Sequence, residues 1–73
     1  MKTYLVVWYS SEGTKVSDVV DRLLSMGFRT VKGNYDYEYS WNGDSTLEDA
    51  TKLADKVHET LADCNVLYKI ETI

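Results

Sequence analysis

Residues 31–41 alternate strictly between two kinds of side chain, and this alternation limits the fold more than any other feature of the sequence. The even positions hold only polar or charged residues. The odd positions hold Val31, Gly33, Tyr35, Tyr37, Tyr39 and Trp41. A period of two is typical of a β-strand with one covered and one polar face. Together with residues 28–30 the segment is longer than most strands, which span about 3 to 10 residues. We therefore expect it to reverse direction as a β-hairpin.

The reversal is predicted at Gly33-Asn34, because both residue types tolerate the positive φ angles of a two-residue hairpin turn. Pairing the two halves symmetrically about this turn places Arg29 opposite Glu38, which is a favourable charge pair. It also places Phe28 on the face that carries the alternating aromatic residues. A single uninterrupted strand over 29–41 is the alternative, and it would invalidate the topology predicted below.

Two segments have the apolar spacing of amphipathic helices. In Lys15 to Met26 the apolar residues fall on one stripe, with Thr14 or a neighbouring serine as the expected N-cap. Gly27 follows where a left-handed C-terminal cap is common. The second helix is predicted to start at Ser45, whose hydroxyl forms a capping box with Glu48 three residues later.

The remaining segments at the two ends of the chain are predicted strands. Thr3 to Tyr9 is apolar, β-branched and aromatic, which indicates a central strand with both faces at least partly covered, and Val66 to Ile73 forms the last strand. The chain at 1–73 is thus a single domain with the order strand, helix, strand, strand, helix, strand. That order predicts an α+β fold of the ferredoxin-like βαββαβ class, a four-stranded antiparallel sheet with two helices on one face.

Composition argues against several classes of function. The net charge of −4 disfavours binding to nucleic acid or anionic membranes, and the longest apolar run is far shorter than the roughly 20 residues of a membrane helix. Cys64 is the only cysteine, which fits a reducing cytoplasm, and Cys64 with the single His58 cannot complete a four-ligand zinc site. We therefore expect an acidic cytoplasmic protein with no metal and no cofactor.

No set of residues forms a catalytic constellation, so no catalytic residue is assigned. His58 lacks a converging nucleophile and is expected on the helix surface, and Cys64 follows a helix C-terminus, which does not activate a thiol. Asp36 and Glu38 share one strand face and could hold a cation or act in acid–base chemistry. A solvated strand face with Arg29 opposite Glu38 is the simpler interpretation.

The alternating aromatic residues have two interpretations. They could stack on single-stranded nucleic acid, as sheet aromatics do in RNA-recognition domains. Their acidic surroundings favour instead an aromatic strand packed against the helices.

One face of the predicted sheet carries no helix. Whichever face of the first strand points away from the helices, Tyr4/Val6/Trp8 or Leu5/Val7/Tyr9, it exposes three large residues. Apolar patches above a few hundred Å² are uncommon on monomers, so a two-fold homodimer is predicted, either stacked sheet on sheet or extended edge to edge. The interface candidates are Tyr4, Val6, Trp8, Leu67 and Ile73.

The run Val31 to Tyr37 (VKGNYDY) contains a G-x-Y-D element that closes the predicted hairpin. In this element, and in the order of its predicted elements, the chain resembles the ligand-binding, dimerising domain of the Lrp/AsnC regulators in a stand-alone form. The resemblance implies dimerisation through the sheets and a small effector, often an amino acid, bound near the hairpin. It implicates Gly33, Tyr35 and Asp36 in effector binding. No helix-turn-helix precedes the domain, so a direct role in transcription is not implied.

We therefore expect a small homodimeric module that acts by protein contacts or also binds a small effector, and is more an interaction protein than an enzyme. Two alternatives stay open. One is a small dimeric α+β barrel enzyme with a tyrosine-lined pocket, and the other is a subunit of a larger assembly.

Overall fold

The computed structural model describes residues 1–73 and contains four strands and two helices. In chain order they are β1 (Lys2–Trp8), α1 (Val16–Ser25), β2 (Arg29–Thr30), β3 (Tyr37–Ser40), α2 (Leu47–Leu61) and β4 (Leu67–Thr72). The strands form one sheet in the order β2-β3-β1-β4, and every adjacent pair is antiparallel. The predicted α+β class with a four-stranded antiparallel sheet is confirmed, and β1 is a central strand.

The predicted register of the β2–β3 hairpin is confirmed. Arg29 pairs with Glu38, and Thr30 pairs with Tyr37. The single uninterrupted strand that was the alternative does not form. The chain therefore reverses direction where the alternation and the charge pair predicted it.

The turn of this hairpin is wider than predicted. The Val31 N–H donates to the Asp36 carbonyl at 3.0 Å, and no backbone hydrogen bond continues the ladder beyond that pair. Gly33 has a φ of 111°, but Asn34 does not take a positive φ, so the predicted two-residue turn is wrong. The wider turn accommodates Tyr35, which leaves the plane of the hairpin and stacks on Tyr4, on the other side of the sheet.

The hydrophobic core lies between the helices and one side of the sheet. Both helices contribute to the same buried cluster as the Leu5 side of β1. Its members are Leu5, Val7, Val19, Leu23, Phe28, Tyr37, Leu53, Val57, Leu61 and Cys64. Neither helix has the length and the apolar composition that crossing a bilayer requires.

Three of the alternating aromatic residues pack on this core side. Tyr37 is buried, and Tyr39 and Trp41 pack against the core cluster. The Phe28 ring meets Tyr39 edge to face at 5.5 Å between ring centroids. The Trp41 indole N–H donates to the fully buried hydroxyl of Thr3 at 2.8 Å. Packing against the core is thus the role of these three residues.

The helix ends match the predictions only in part. Gly27 has the predicted left-handed backbone, with a φ of 104°, and a Cβ there would lie 2.8 Å from the Tyr39 ring. Lys15 occupies the N-cap of α1 without a side-chain hydrogen bond, so the predicted Thr14 cap is wrong.

The capping box of α2 forms one residue later than predicted. The Thr46 hydroxyl accepts from the Asp49 N–H, and the Asp49 carboxylate accepts from the Thr46 N–H at 2.9 Å. Ser45 instead donates to the Asn42 side chain. Both hydroxyl residues precede an acidic residue by three positions, so the sequence pattern alone does not decide between them.

Candidate functional site

The side of the sheet away from the core carries the candidate functional site. Side chains alternate along β1, and because Leu5 faces the core, its neighbours in β1 face away from it. Trp8 pairs with Leu67 of β4 in the sheet, so both residues point to this side. We call this side the uncovered face. In the two paired strands it comprises Lys2, Tyr4, Val6, Trp8, Leu67, Lys69 and Glu71, followed by Ile73.

All five predicted interface candidates lie on the uncovered face, but they do not form one continuous patch. Trp8 and Leu67 sit side by side at one end, 54% and 74% exposed, and Ile73 is 70% exposed at the other end. Ile73 follows Leu67 by six positions along the strand, which is roughly 20 Å at about 3.3 Å per residue. Lys69 and Glu71 lie between them.

The middle of the uncovered face is occupied by Tyr35. Its ring stacks on Tyr4, with 4.4 Å between centroids and 19° between planes. Its hydroxyl donates to the Glu71 carboxylate, and this hydrogen bond is the main cause that raises the pKa of Tyr35. The prediction that Tyr35 shares the face of Tyr37 and Tyr39 is therefore wrong, since stacking on Tyr4 reverses its direction.

A charge cluster around the buried Glu38 carboxylate lies beside this tyrosine pair. The Glu38 side chain is only 8% exposed, and its carboxylate is 3.0 Å from the Lys2 ammonium and 3.3 Å from the Arg29 guanidinium. The Ser40 hydroxyl donates to the same oxygen. The hydrogen bond from Lys2 is the largest cause that holds the pKa of Glu38 below its usual value, and burial opposes it. The Arg29–Glu38 pair was predicted, whereas the burial of Glu38 and the part of Lys2 were not.

The three residues implicated in effector binding do not converge on a cavity. Gly33 lies at the hairpin tip with no atom near the position of a Cβ. The Asp36 carboxylate accepts from the Val7 N–H at 3.0 Å, and the Asp36 N–H donates to the Leu5 carbonyl at 3.0 Å. Asp36 thus extends the pairing between β3 and β1, and Tyr35 is engaged by Tyr4 and Glu71 as described above.

A pocket of about 510 Å³ opens between α1 and α2, away from the sheet. It is lined by Asp21, Arg22, Ser25, Met26, Lys56 and Thr60. No tyrosine lines it. This pocket is therefore not the tyrosine-lined pocket of the enzyme alternative.

The single cysteine and histidine have structural partners. Cys64 is fully buried, and its sulfur accepts a hydrogen bond from the Arg22 guanidinium at 3.0 Å. Arg22 also pairs with Asp63 at 2.9 Å. His58 lies on the helix surface as expected, 3.4 Å from the Tyr68 hydroxyl. No three His, Cys, Asp or Glu side chains come together in an arrangement that could hold a metal ion.

No protein-family model matches the chain, and neither a curated protein nor a solved structure matches it. Function is therefore inferred from the geometry of the surface.

Lys69 and Glu71 were not among the predicted site residues. Both lie in the middle of β4 on the uncovered face, with opposite charges two residues apart. Lys69 makes no ion pair within the chain. The available signal was this opposite-charge spacing in a predicted terminal strand, and it has meaning only once β4 is known to lie at the edge of the sheet.

Proposed function

We propose that this protein is a ferredoxin-like homodimeric module whose function is carried by protein contacts made through its sheet. One observation carries the proposal: large apolar side chains are exposed on a sheet face that neither helix covers. Trp8, Leu67 and Ile73 are all more than half exposed there. Contacts with another chain would remove this apolar surface from water, which is the main favourable contribution to most protein associations.

The ferredoxin-like class is supported by the strand order β2-β3-β1-β4 and by the antiparallel pairing of each neighbour. A strand-helix-strand unit followed by a hairpin and a second helix–strand pair yields this arrangement. Kinship with the ligand-binding domain of the Lrp/AsnC regulators stays a prediction, supported by the order of the elements and the register of the hairpin.

Protein contact has more support than small-effector binding or catalysis. The polar groups of Tyr35 and Asp36 already have partners within the chain. The pocket between the helices lacks the tyrosines that the enzyme alternative requires.

Sedimentation equilibrium of the purified chain tests the homodimer, over concentrations from about 1 to about 100 µM. We expect the apparent mass to rise from that of one 8.4 kDa chain toward twice that value. A monomer mass throughout would contradict the proposal, including in its form as a subunit that self-associates.

Two leucine variants locate the contact. Leu67→Ser replaces an apolar side chain on the uncovered face, and we expect it to weaken self-association by about tenfold or more. Leu24→Ser is the matched control, because Leu24 is an exposed leucine of α1, on the helix layer. Equal weakening by both variants would show that the dimer does not use the sheet.

A further inference from the structure

The two edges of the sheet differ in what they offer to a second chain. The β2 edge is two residues long, whereas the β4 edge is six residues long. Lys2 and Ile73 exchange both of their backbone hydrogen bonds, at 2.9 Å each. Because hydrogen-bonded and non-hydrogen-bonded pairs alternate in an antiparallel ladder, this pair fixes the direction of every backbone group in β4. The N–H and C=O groups of Tyr68, Ile70 and Thr72 point outward, to the free edge.

We propose that two copies of this chain join antiparallel along β4, with Ile70 opposite Ile70 of the partner subunit. This proposal rests on the homodimer proposed above and specifies its interface. The outward groups of Ile70 then bond to those of the partner's Ile70, and those of Tyr68 bond to Thr72 of the partner subunit. The two sheets become one continuous antiparallel sheet.

Charge complementarity selects this register. It places Lys69 opposite Glu71 of the partner subunit, and the two-fold axis repeats the pair. Both residues occupy non-hydrogen-bonded positions, where facing side chains are closest, at about 4.5 Å between Cα atoms. A two-fold axis at Lys69 would oppose that lysine to its own copy, and an axis at Glu71 would oppose two glutamates. Like charges directly opposite each other destabilise a strand pair.

The same register joins the two separated apolar patches of the uncovered face. Leu67 comes to lie opposite Ile73 of the partner subunit, with Trp8 beside it. These residues are roughly 20 Å apart within one chain, at about 3.3 Å per residue of strand. Stacking the uncovered faces would instead place the Tyr35 ring and the charges of Lys69 and Glu71 in the centre of the interface. Edge pairing is therefore the better fit to the surface.

A lysine in an edge strand usually protects against association. In β4 the glutamate two residues later changes this effect, because it offers Lys69 a partner in one two-fold register. The pair then excludes the neighbouring registers and specifies the chosen one.

Two charge reversals test the interface by complementation. In a dimer of the Lys69→Glu variant, two glutamates would face each other at each of the two symmetry-related 69/71 contacts. In a dimer of the Glu71→Lys variant, two lysines would face each other there. We expect each variant alone to self-associate at least about tenfold more weakly than the unmodified chain. An equimolar mixture should recover the dimer, because a mixed pair restores both opposite-charge contacts. Sedimentation equilibrium measures all three samples.

The controls reverse the same charges far from β4. Lys32→Glu and Glu12→Lys lie in exposed loops and should leave self-association unchanged. If the unmodified chain dimerises but the β4 variants dimerise equally well, the β4 interface is wrong and the homodimer stands. If the unmodified chain stays monomeric, the proposed function fails as well.

A cysteine pair tests the register without relying on charge. Lys69→Cys and Glu71→Cys are mixed and oxidised with glutathione disulfide. We expect the two variants to cross-link to each other, since their Cα atoms face each other across the proposed axis. Each variant alone should cross-link much more slowly, because diagonal positions are about 7–8 Å apart, beyond the reach of a disulfide. Self-linking as fast as the mixed reaction would overturn the register.

Discussion

The two faces of the sheet cover the central strand β1 in different ways. On the core side, Leu5 and Val7 are buried in an apolar cluster to which both helices contribute. On the uncovered face, Tyr4 is covered by the Tyr35 ring. Glu38, beside it in β3, is buried with Lys2 and Arg29 around it. Side chains of the chain itself therefore cover the middle of the uncovered face but not its ends.

This difference indicates where a partner can act. On the core side the helices already cover β1, so Leu5 and Val7 are not accessible to another chain. On the uncovered face the exposed apolar residues remain at the ends of β4 and beside it, at Trp8, Leu67 and Ile73. A second chain paired along the β4 edge, as proposed above, would reach both ends at once. Because burial differs between the two faces, we also expect them to respond differently to substitution.

The largest expected effect compares one leucine from each face. Leu5→Ala removes a fully buried side chain of β1, and we expect it to lower the free energy of unfolding by about 2–5 kcal/mol. Leu67→Ala, at a position 74% exposed, should change it by less than about 0.5 kcal/mol at dilutions where the chain is monomeric. Urea denaturation followed by circular dichroism measures both. A comparable loss in Leu67→Ala would show that the uncovered face is part of the monomer core.

The alternation over 31–41, the Gly33-Asn34 position and the Arg29–Glu38 pair together predicted the hairpin and its register, because all three are local properties of the sequence. The same alternation placed Tyr35 on the wrong side. The contact that decides its direction is with Tyr4, which is distant in sequence and becomes a neighbour only once β1 and β3 pair. Local pattern therefore predicted the strands, and tertiary contact determined the loop between them.

The candidate site was predictable to a similar extent. Apolar side chains on one face of the terminal strands indicated the five interface candidates before their exposure was known. Their separation into two patches follows from the length of β4. The role proposed for Lys69 and Glu71 depends on the position of β4 at the edge of the sheet. Neither can be read from residue types alone.

An intermediate effect is expected at Asp36, which lies between Tyr35 on the uncovered face and Tyr37 on the core side. Asp36→Ala leaves the Val7 N–H without its side-chain acceptor, so we expect the free energy of unfolding to fall by about 1 kcal/mol. Asp36→Asn retains an acceptor and should cost less. Urea denaturation distinguishes the two variants, and equal stability of Asp36→Ala and the unmodified chain would contradict the structural role.

The same pair of variants sharpens the effector prediction. A ligand that binds the folded chain raises its thermal midpoint. If an amino acid raises the midpoint and needs the charge of Asp36, Asp36→Asn should abolish that shift while the protein stays folded. A shift that is unchanged in Asp36→Asn would remove Asp36 from the effector site.

The smallest expected effect is the acid response of the charge cluster on the uncovered face. Lys2, with help from Ser40 and Arg29, holds the pKa of Glu38 below its ordinary value of 4.5. As the pH falls, the unfolded chain binds this proton before the folded chain does. The stabilising contribution of Glu38 is therefore complete above about pH 4.5 and is lost as the pH falls through the lower folded pKa.

Glu38→Gln removes this titration, so its thermal midpoint should fall less than that of the unmodified chain between about pH 5 and about pH 3. Glu12→Gln, in an exposed loop, is the matched control and should retain the full fall. The effect is small because the Lys2 and Arg29 side chains are 49% and 70% exposed, and salt screens such pairs. Added salt should therefore reduce the difference between Glu38→Gln and the unmodified chain. Parallel pH profiles at low salt would mean that the cluster covers the sheet by packing alone, which would make the two faces more alike than their charges suggest.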